Sequence, residues 1–490
     1  MARAGPLTSV DAAWLRMEDP TNLMMVTGIL EFEERLDIGR LRTILERRLL
    51  RFDRFRQRVV EAPLGIGPPR WVEDGRFDLD AHVHHVSLPE PGGQAALQEL
   101  VSDLMSTPLD YSKPLWQVHL VDGVGRNRTG SALLARLHHC IADGIALIAV
   151  LLSTTDSSAR GGRASPMTPA PSPDGGSALA SVAGVAVQGI GLLANQPFKL
   201  LEYAQLGSEA AATLQRLTVL PPDPATPFKG RLGVRKRAAW TSSPIPLAAV
   251  KAAGAAVGAT INDVLVNAAA GALREYLLGR GFDVDQLEIR AAVPVNLRPL
   301  EKGLQLGNNF GVVYLGLPLR IGDRDPRLFE LKRRMDVIKR SLQAPVSYGV
   351  LSAIGIVPRQ LHPRLVEFYG SKATLVLTNV PGPREPLFMA GRRITNAMFW
   401  VPMSGHLGLG FSILSYAGSV VVGVATDVGL VPDPETLVSA FEAELRGMID
   451  VAAGTPRGGD RSEPQASRNR RPRRSPRAAS TKRRPASRGR

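Results

Sequence analysis

The hydrophobic positions of this chain follow two alternating periods. From Ile38 to Arg51, Leu41, Ile44, Leu45 and Leu49 recur at three- and four-residue spacing, which predicts an amphipathic helix. Leu97–Met105 repeats the pattern more briefly. Leu115–Val121 and Gly130–Leu137 are short apolar runs of strand length, and Ile145–Leu152 reads as the helix that follows them. Further on, Pro246–Gly258 and Asn262–Gly279 predict helices, and Ile289–Val295 and Leu375–Asn379 predict strands. Leu407–Ser415 and Ser419–Thr426 flank Tyr416-Ala417-Gly418, a hairpin signal. Helices and strands mix in both parts of the chain, so the expected class is mixed α/β or α+β.

Breaks in the pattern divide the chain. Asp156 to Ser177 is Ser, Ala, Gly, Pro and Arg without an apolar period and reads as a linker. Ser181 to Leu220 regains helical character, with Phe198, Leu200, Leu201, Tyr203 and Leu206, until Pro221-Pro222-Asp223-Pro224 stops it. The expected division is 1–155, a linker and helical crossover at 156–227, a second half at 228–453, and a tail at 454–490. The tail's Arg/Ser/Pro content cannot build a core and predicts disorder.

At 490 residues with 44% apolar content, the chain is long enough to bury a large core in more than one unit. The net charge of +15 is mostly tail: Pro456–Arg490 carries 13 Lys and Arg against Asp460 and Glu463, leaving about +4 for the remainder. Such a tail fits an anionic lipid surface, non-specific contact with nucleic acid, or simple solvation. Cys140 is the sole cysteine, which excludes an internal disulfide and a cysteine metal cluster. Met1–Val10 lacks a secretory pattern, and no window reaches the ~18 apolar residues of a spanning helix. The nearest, Val182–Ala194, carries Gln188 and three glycines. A cytoplasmic protein, soluble or peripheral at a membrane or lipid droplet, is the expectation.

Candidate chemistry concentrates between the Gly130–Leu137 strand and the following helix, at His138-His139-Cys140-Ile141-Ala142-Asp143-Gly144. A strand-to-helix turn holds a base still while leaving it reachable. General acid–base chemistry needs a group that takes a proton and later gives it back. One histidine can do both, because its unperturbed pKa is near ~6.5. His82, His84 and His85 have no third ligand nearby and read as a solvated loop or strand edge. Cys140, inside an apolar motif, reads as a small core residue.

His-His-x-x-x-Asp-Gly resembles the signature of the coenzyme-A-dependent acyltransferase superfamily. Other segments narrow the resemblance to the bacterial wax ester synthase/diacylglycerol acyltransferase family: Leu7–Leu15 with Pro20 and Met24-Met25, Pro114-Leu115-Trp116 with Asp122-Gly123, Asn262-Asp263-Val264-Leu265, Gly307-Asn308-Asn309-Phe310-Gly311, and Thr378-Asn379-Val380-Pro381-Gly382-Pro383. They run in the same order over about residues 7–450.

The resemblance implies two similar chloramphenicol-acetyltransferase-like halves joined by a crossover, with an active-site channel at their interface. It implies His139 as the base, His138 as structural, and Asp143 holding the loop through an arginine, for which Arg298 is the candidate. Gly144 is expected to let the backbone turn where a Cβ would clash. Pro114, Leu115, Trp116, Asn262 and Asp263 are candidate substrate contacts. Trp116 reads equally as a core aromatic, and Asn262-Asp263 as a helix N-cap with an acid in the first turn. Oxyanion donors are not assignable. The implied reaction is O-acyl transfer from acyl-CoA, as co-substrate, to diacylglycerol or a long-chain alcohol, without acyl-enzyme, metal or bound cofactor. The alternatives are a condensation-type enzyme using acyl-carrier-protein thioesters and a non-catalytic lipid-droplet binder. Specific nucleic-acid binding rests on the tail alone and is not expected.

Overall fold

The computed structural model describes residues 5–62, 67–125, 127–162, 200–298 and 306–454. The expected tail, Val182–Ala194, Phe198 and most of the linker fall outside the described residues. The first half contains β1 (Gly5–Pro6), α1 (Ser9–Arg16), β2 (Met25–Phe32), α2 (Ile38–Ile44), β3 (Gln57–Val60), β4 (Arg70–Glu73), β5 (Val83–Ser87), α3 (Gly93–Met105), β6 (Trp116–Val124), β7 (Gly130–His138) and α4 (Gly144–Thr154). Helix α5 (Leu200–Val219) precedes the second half. That half opens with β8 (Lys236–Trp240), β9 (Ile245–Pro246), α6 (Leu247–Ala256), α7 (Ile261–Gly279), β10 (Ile289–Asn296) and β11 (Phe310–Leu317). It continues through α8 (Arg324–Lys339), α9 (Gln343–Ile356), α10 (His362–Gly370), β12 (Leu375–Pro381), β13 (Phe388–Met389), β14 (Arg392–Arg393), β15 (Asn396–Trp400), β16 (Leu409–Tyr416), β17 (Ser419–Asp427) and α11 (Pro434–Ala452).

Two mixed sheets dominate, giving the mixed α/β class. The second has the order β11-β10-β12-β16-β17-β8, with β9 also on β17. The first has the order β15-β2-β7-β6-β5. Its strand β15 comes from the second half and pairs antiparallel with β2, from Asn396 opposite Glu31 to Trp400 opposite Thr27. The unit at 228–453 is therefore not self-contained, because it completes its neighbour's sheet. A buried carboxylate anchors this exchange: Glu31 accepts from Trp240 Nε1 at 2.9 Å and Asn396 Nδ2 at 3.0 Å. Burial raises its pKa against those two donors. In return, α3 covers the edge of β8, where Ala238 N–H donates to Ser102 Oγ and Lys236 N–H to Ser106 Oγ. An edge capped in this way cannot pair with another chain.

Local details refine the sequence reading. The Ile38–Arg51 helix is α-helical only to Ile44 and continues as a π-turn at Leu45–Leu49. Both Leu45 and Leu49 are buried. The N-cap of α7 is Thr260 rather than Asn262; Asp263 completes a capping box with it. Among the described residues, no single helix is long and apolar enough to cross a membrane. The donated strand generates a prediction. A fragment ending at residue 227 leaves β2 without β15, so it should lack a cooperative thermal transition when expressed alone and gain one when co-expressed with residues 228–490. A cooperative transition in the isolated fragment would contradict the exchange.

Candidate active site

The motif begins in strand and ends in helix. His138 closes β7, and its N–H donates to Leu115 O at 3.0 Å. Its Nδ1 accepts from Cys140 N–H at 3.1 Å, and its Nε2 lies 3.1 Å from Glu18 Oε2. These contacts tie His138 into the tight turn that follows. Burial alone would raise the Glu18 carboxyl; the hydrogen bond and charge of His138 outweigh it and hold the pKa below its usual range. Cys140 is fully buried, and burial, reinforced by Asp11, pushes its thiol pKa well above the usual value, so it packs rather than attacks.

His139 N–H donates to Met24 O at 2.7 Å, and its ring stacks on Trp14 at 4.2 Å with an interplanar angle of 20°. Phe310 covers it at 5.6 Å. Burial pushes its pKa down to about 4, and the neighbouring His138 acts in the same direction, against weaker support from its own carbonyl and Asn308. The imidazole is therefore neutral at physiological pH and free to accept a proton.

The rest of the loop is held from the opposite half. Asp143 caps α4 through Ala146 N–H at 2.9 Å. Its other oxygen accepts from Arg298 Nη2 at 3.1 Å and Asn309 N–H at 3.0 Å. Burial nevertheless raises its pKa, Arg298 being the main opposing influence. Arg298 also donates to Gly307 O at 2.9 Å, and Gly307 sits at φ 125°, a region that favours glycine. Beneath this pair is a second one. Asp11, fully buried on α1, accepts from Asn308 N–H at 3.1 Å, Asn308 Nδ2 at 2.8 Å and Arg54 Nη2 at 2.9 Å. Asn308 Nδ2 also donates to His139 O at 2.8 Å, and Arg54 Nη1 to Ile141 O at 2.6 Å. Asp11, Arg54, Asn308, Trp14 and Glu18 carried no role in the sequence reading. The available signal was a carboxylate, Asp11, between apolar neighbours on a helix.

A cavity of about 590 Å³ opens in front of His139, walled by Trp14, Asp143, Gly144 and Arg298 on one side and by β10–β12 and α9 on the other. Asn379 lines it, and its Nδ2 donates to Asn262 Oδ1 at 2.9 Å. Asn262 thus supports a cavity residue without lining the cavity. Asp263 is fully buried in its capping box, and Pro114 and Leu115 are buried outside the cavity wall; none of the three is placed to touch a substrate there. Trp116 is buried, donates Nε1 to Phe55 O at 2.9 Å, and lines a neighbouring apolar cavity. Gly144 departs from expectation: a Cβ there would meet nothing within 4 Å, so no clash explains the glycine. His82 is also corrected. It is buried and stacked between Phe77 at 5.3 Å and Trp116 at 4.5 Å, while His84 and His85 lie on edge strand β5.

Two mixed sheets with a His-His-x-x-x-Asp-Gly loop set at a cavity between them give the chloramphenicol-acetyltransferase-like fold that the resemblance implied. Residues 7–265 match the wax ester synthase/diacylglycerol acyltransferase catalytic domain, and residues 306–449 the C-terminal domain of the same proteins. The chain belongs to the wax ester synthase/diacylglycerol acyltransferase family and is an acyltransferase. It is 29% identical to the putative diacylglycerol O-acyltransferase Rv1760 of Mycobacterium tuberculosis, over 93% of this chain and 92% of the relative. It is 28% identical to the probable diacylglycerol O-acyltransferase tgs1 of the same organism, over 91% and 96%. Its fold is similar to the wax ester synthase/diacylglycerol acyltransferase from Marinobacter aquaeolei VT8, with TM-score 0.65, 22% identity, and coverage of 92% of this chain and 100% of that one. The first condensation domain of the calcium-dependent antibiotic synthetase follows with TM-score 0.58, 17% identity, and coverage of 92% and 97%.

The clasp generates a stability prediction. Asp143→Ala strands Arg298 and removes the α4 cap, so unfolding free energy in urea should fall by roughly 3–5 kcal/mol, with activity. Unchanged stability with lost activity would instead give Asp143 a direct part in the chemistry.

Proposed function

We propose that this acyltransferase moves a long-chain acyl group from acyl-CoA to the hydroxyl of diacylglycerol or a long-chain alcohol, with His139 as general base. The observation that carries the reading is a neutral, buried imidazole at a cavity walled by both halves. Similarity to enzymes named diacylglycerol O-acyltransferases supports the acceptor class.

His139 takes the hydroxyl proton as the oxygen attacks the thioester carbonyl. The tetrahedral adduct collapses with cleavage of the carbon–sulfur bond, and the imidazolium returns the proton to the departing thiolate. The products are an ester and free coenzyme A, and the imidazole is restored. A base depressed to about 4 is weaker than free histidine, but it stays unprotonated throughout the physiological range. The basic tail and the insolubility of the acceptors favour peripheral contact with a membrane or lipid droplet in the cytoplasm.

With purified protein, palmitoyl-CoA and both acceptors in parallel, released coenzyme A and product lipid should appear. His139→Ala should reduce kcat by roughly 10²–10⁴ while the melting temperature stays near wild type. Turnover like wild type in that variant would remove His139 from the mechanism. Transfer from an acyl-carrier-protein thioester but not from acyl-CoA would replace the donor, and no transfer from either would favour a lipid-binding role.

The pH profile is a separate test. Neutral imidazole exists above its pKa, so kcat/KM should hold as pH falls through ~6.5 and drop only as it approaches about 4. An acid limb near the unperturbed value would show that His139 is solvated in the working enzyme.

A further inference from the structure

Behind the catalytic cavity lies a second cavity of about 180 Å³, between the first sheet and α4. Its walls come from Trp116, Ala135, Leu147, Leu151 and, from the second half, Leu387 and Tyr416 among others, and no charged side chain lines it. Its few polar side-chain groups are already bonded inside the protein. Trp116 Nε1 donates to Phe55 O, Tyr416 OH donates to Ile394 O and accepts from Leu387 N–H, and Thr154 Oγ1 donates to Leu151 O. Water would find no partners there, whereas hydrocarbon would lose nothing by entering.

The two cavities share two lining residues, Gly144 and Phe399. Gly144 is the first residue of α4, directly after the Asp143 cap. It is not among the residues with positive φ, and a Cβ built on it points into space open for 4 Å. Neither backbone conformation nor crowding therefore requires a glycine.

We propose that Gly144, which with Phe399 lines both cavities, marks an aperture through which the alkyl chain of one substrate passes from the reacting centre into the apolar cavity, making this glycine a chain-length determinant. The proposal rests on the acyltransferase reading above. A long unbranched chain can belong to the acyl donor or to the alcohol. With the reacting carbon at His139, either chain reaches the cavity by the same opening.

The test is Gly144→Val, which adds a branched side chain at a position where a Cβ meets no atom within 4 Å. In one arm, palmitoyl-CoA and butanoyl-CoA are compared with butanol as acceptor; in the other, hexadecanol and butanol are compared with butanoyl-CoA as donor. The long-to-short ratio of kcat/KM should fall by roughly tenfold or more in one arm, which identifies the chain that uses the cavity. Ala135→Leu, on the wall of the apolar cavity alone, should lower the same ratio and serves if Gly144→Val loses its thermal transition. Ratios unchanged from wild type in both arms would overturn the aperture and leave the acyltransferase reading intact. If the wild-type protein transfers no acyl group, that reading fails instead, and binding decides the cavity. Quenching of Trp116 fluorescence by dibromostearate, absent in Trp116→Phe and lost in Gly144→Val, would support it. Absence of that quenching, or its persistence in Gly144→Val, would overturn it.

Discussion

Asp11 has no solvent exposure and three hydrogen-bond donors, and the geometry of the site depends on it. Burying a lone carboxylate costs several kcal/mol, which only close donors offset. Those donors come from separate places: Arg54 after the π-turn and Asn308 in the opposite half. Each then bonds the motif loop as well, Asn308 at the His139 carbonyl and Arg54 at the Ile141 carbonyl. One buried charge therefore ties α1, the motif loop and the Gly307–Asn309 segment into a single body. The Asp143–Arg298 pair repeats the arrangement a few residues along.

This clasp explains how the His139 ring can be held between two halves without a covalent link. The backbone on both sides of His139 is bonded to other elements, and its ring stacks on Trp14 and meets Phe310 at a tilt, the three rings forming one cluster. Little rotational freedom is left to the imidazole, which suits the general-base role proposed for it. The burial that fixes the ring also lowers its pKa, with His138 acting in the same direction. The halves are further locked by the exchange of β15, whose Asn396 shares Glu31 with Trp240. Separation of the halves would break a sheet as well as the site.

Much of the local structure was legible in the chain. The Gly130–Leu137 run became β7 with one residue added, the Asn262–Gly279 run became α7 from Ile261, and the Tyr416-Ala417-Gly418 signal became the β16–β17 hairpin. Elements whose pattern is weak went unread. Helix α8 carries many charges and few buried positions, so its period is faint. Strand β15 is a short segment far in sequence from the sheet it joins, and no local signal marks it as a donated strand. Among site residues, the two histidines and Asp143 stood out because the His-His-x-x-x-Asp-Gly motif contains them, and Arg298 as the candidate partner of Asp143 that the resemblance implied. Asn262 and Asp263 also stood out, but their contacts are a supporting hydrogen bond to Asn379 and a capping box.

What the sequence determined by itself is the set of local preferences: periodicity, caps, turn residues and the order of the motif segments. These depend on neighbours a few positions apart, so a linear reading captures them. Tertiary structure alone decided which segments meet. It brought Asp11, Arg54, Asn308 and His139 together across nearly three hundred positions of chain, exchanged β15 between sheets, and left an open space at Gly144. The low pKa of His139 belongs to the same category, because burial is a property of the folded whole. A histidine written in a motif is only a candidate base, and the enclosure built by distant residues keeps it neutral and in place.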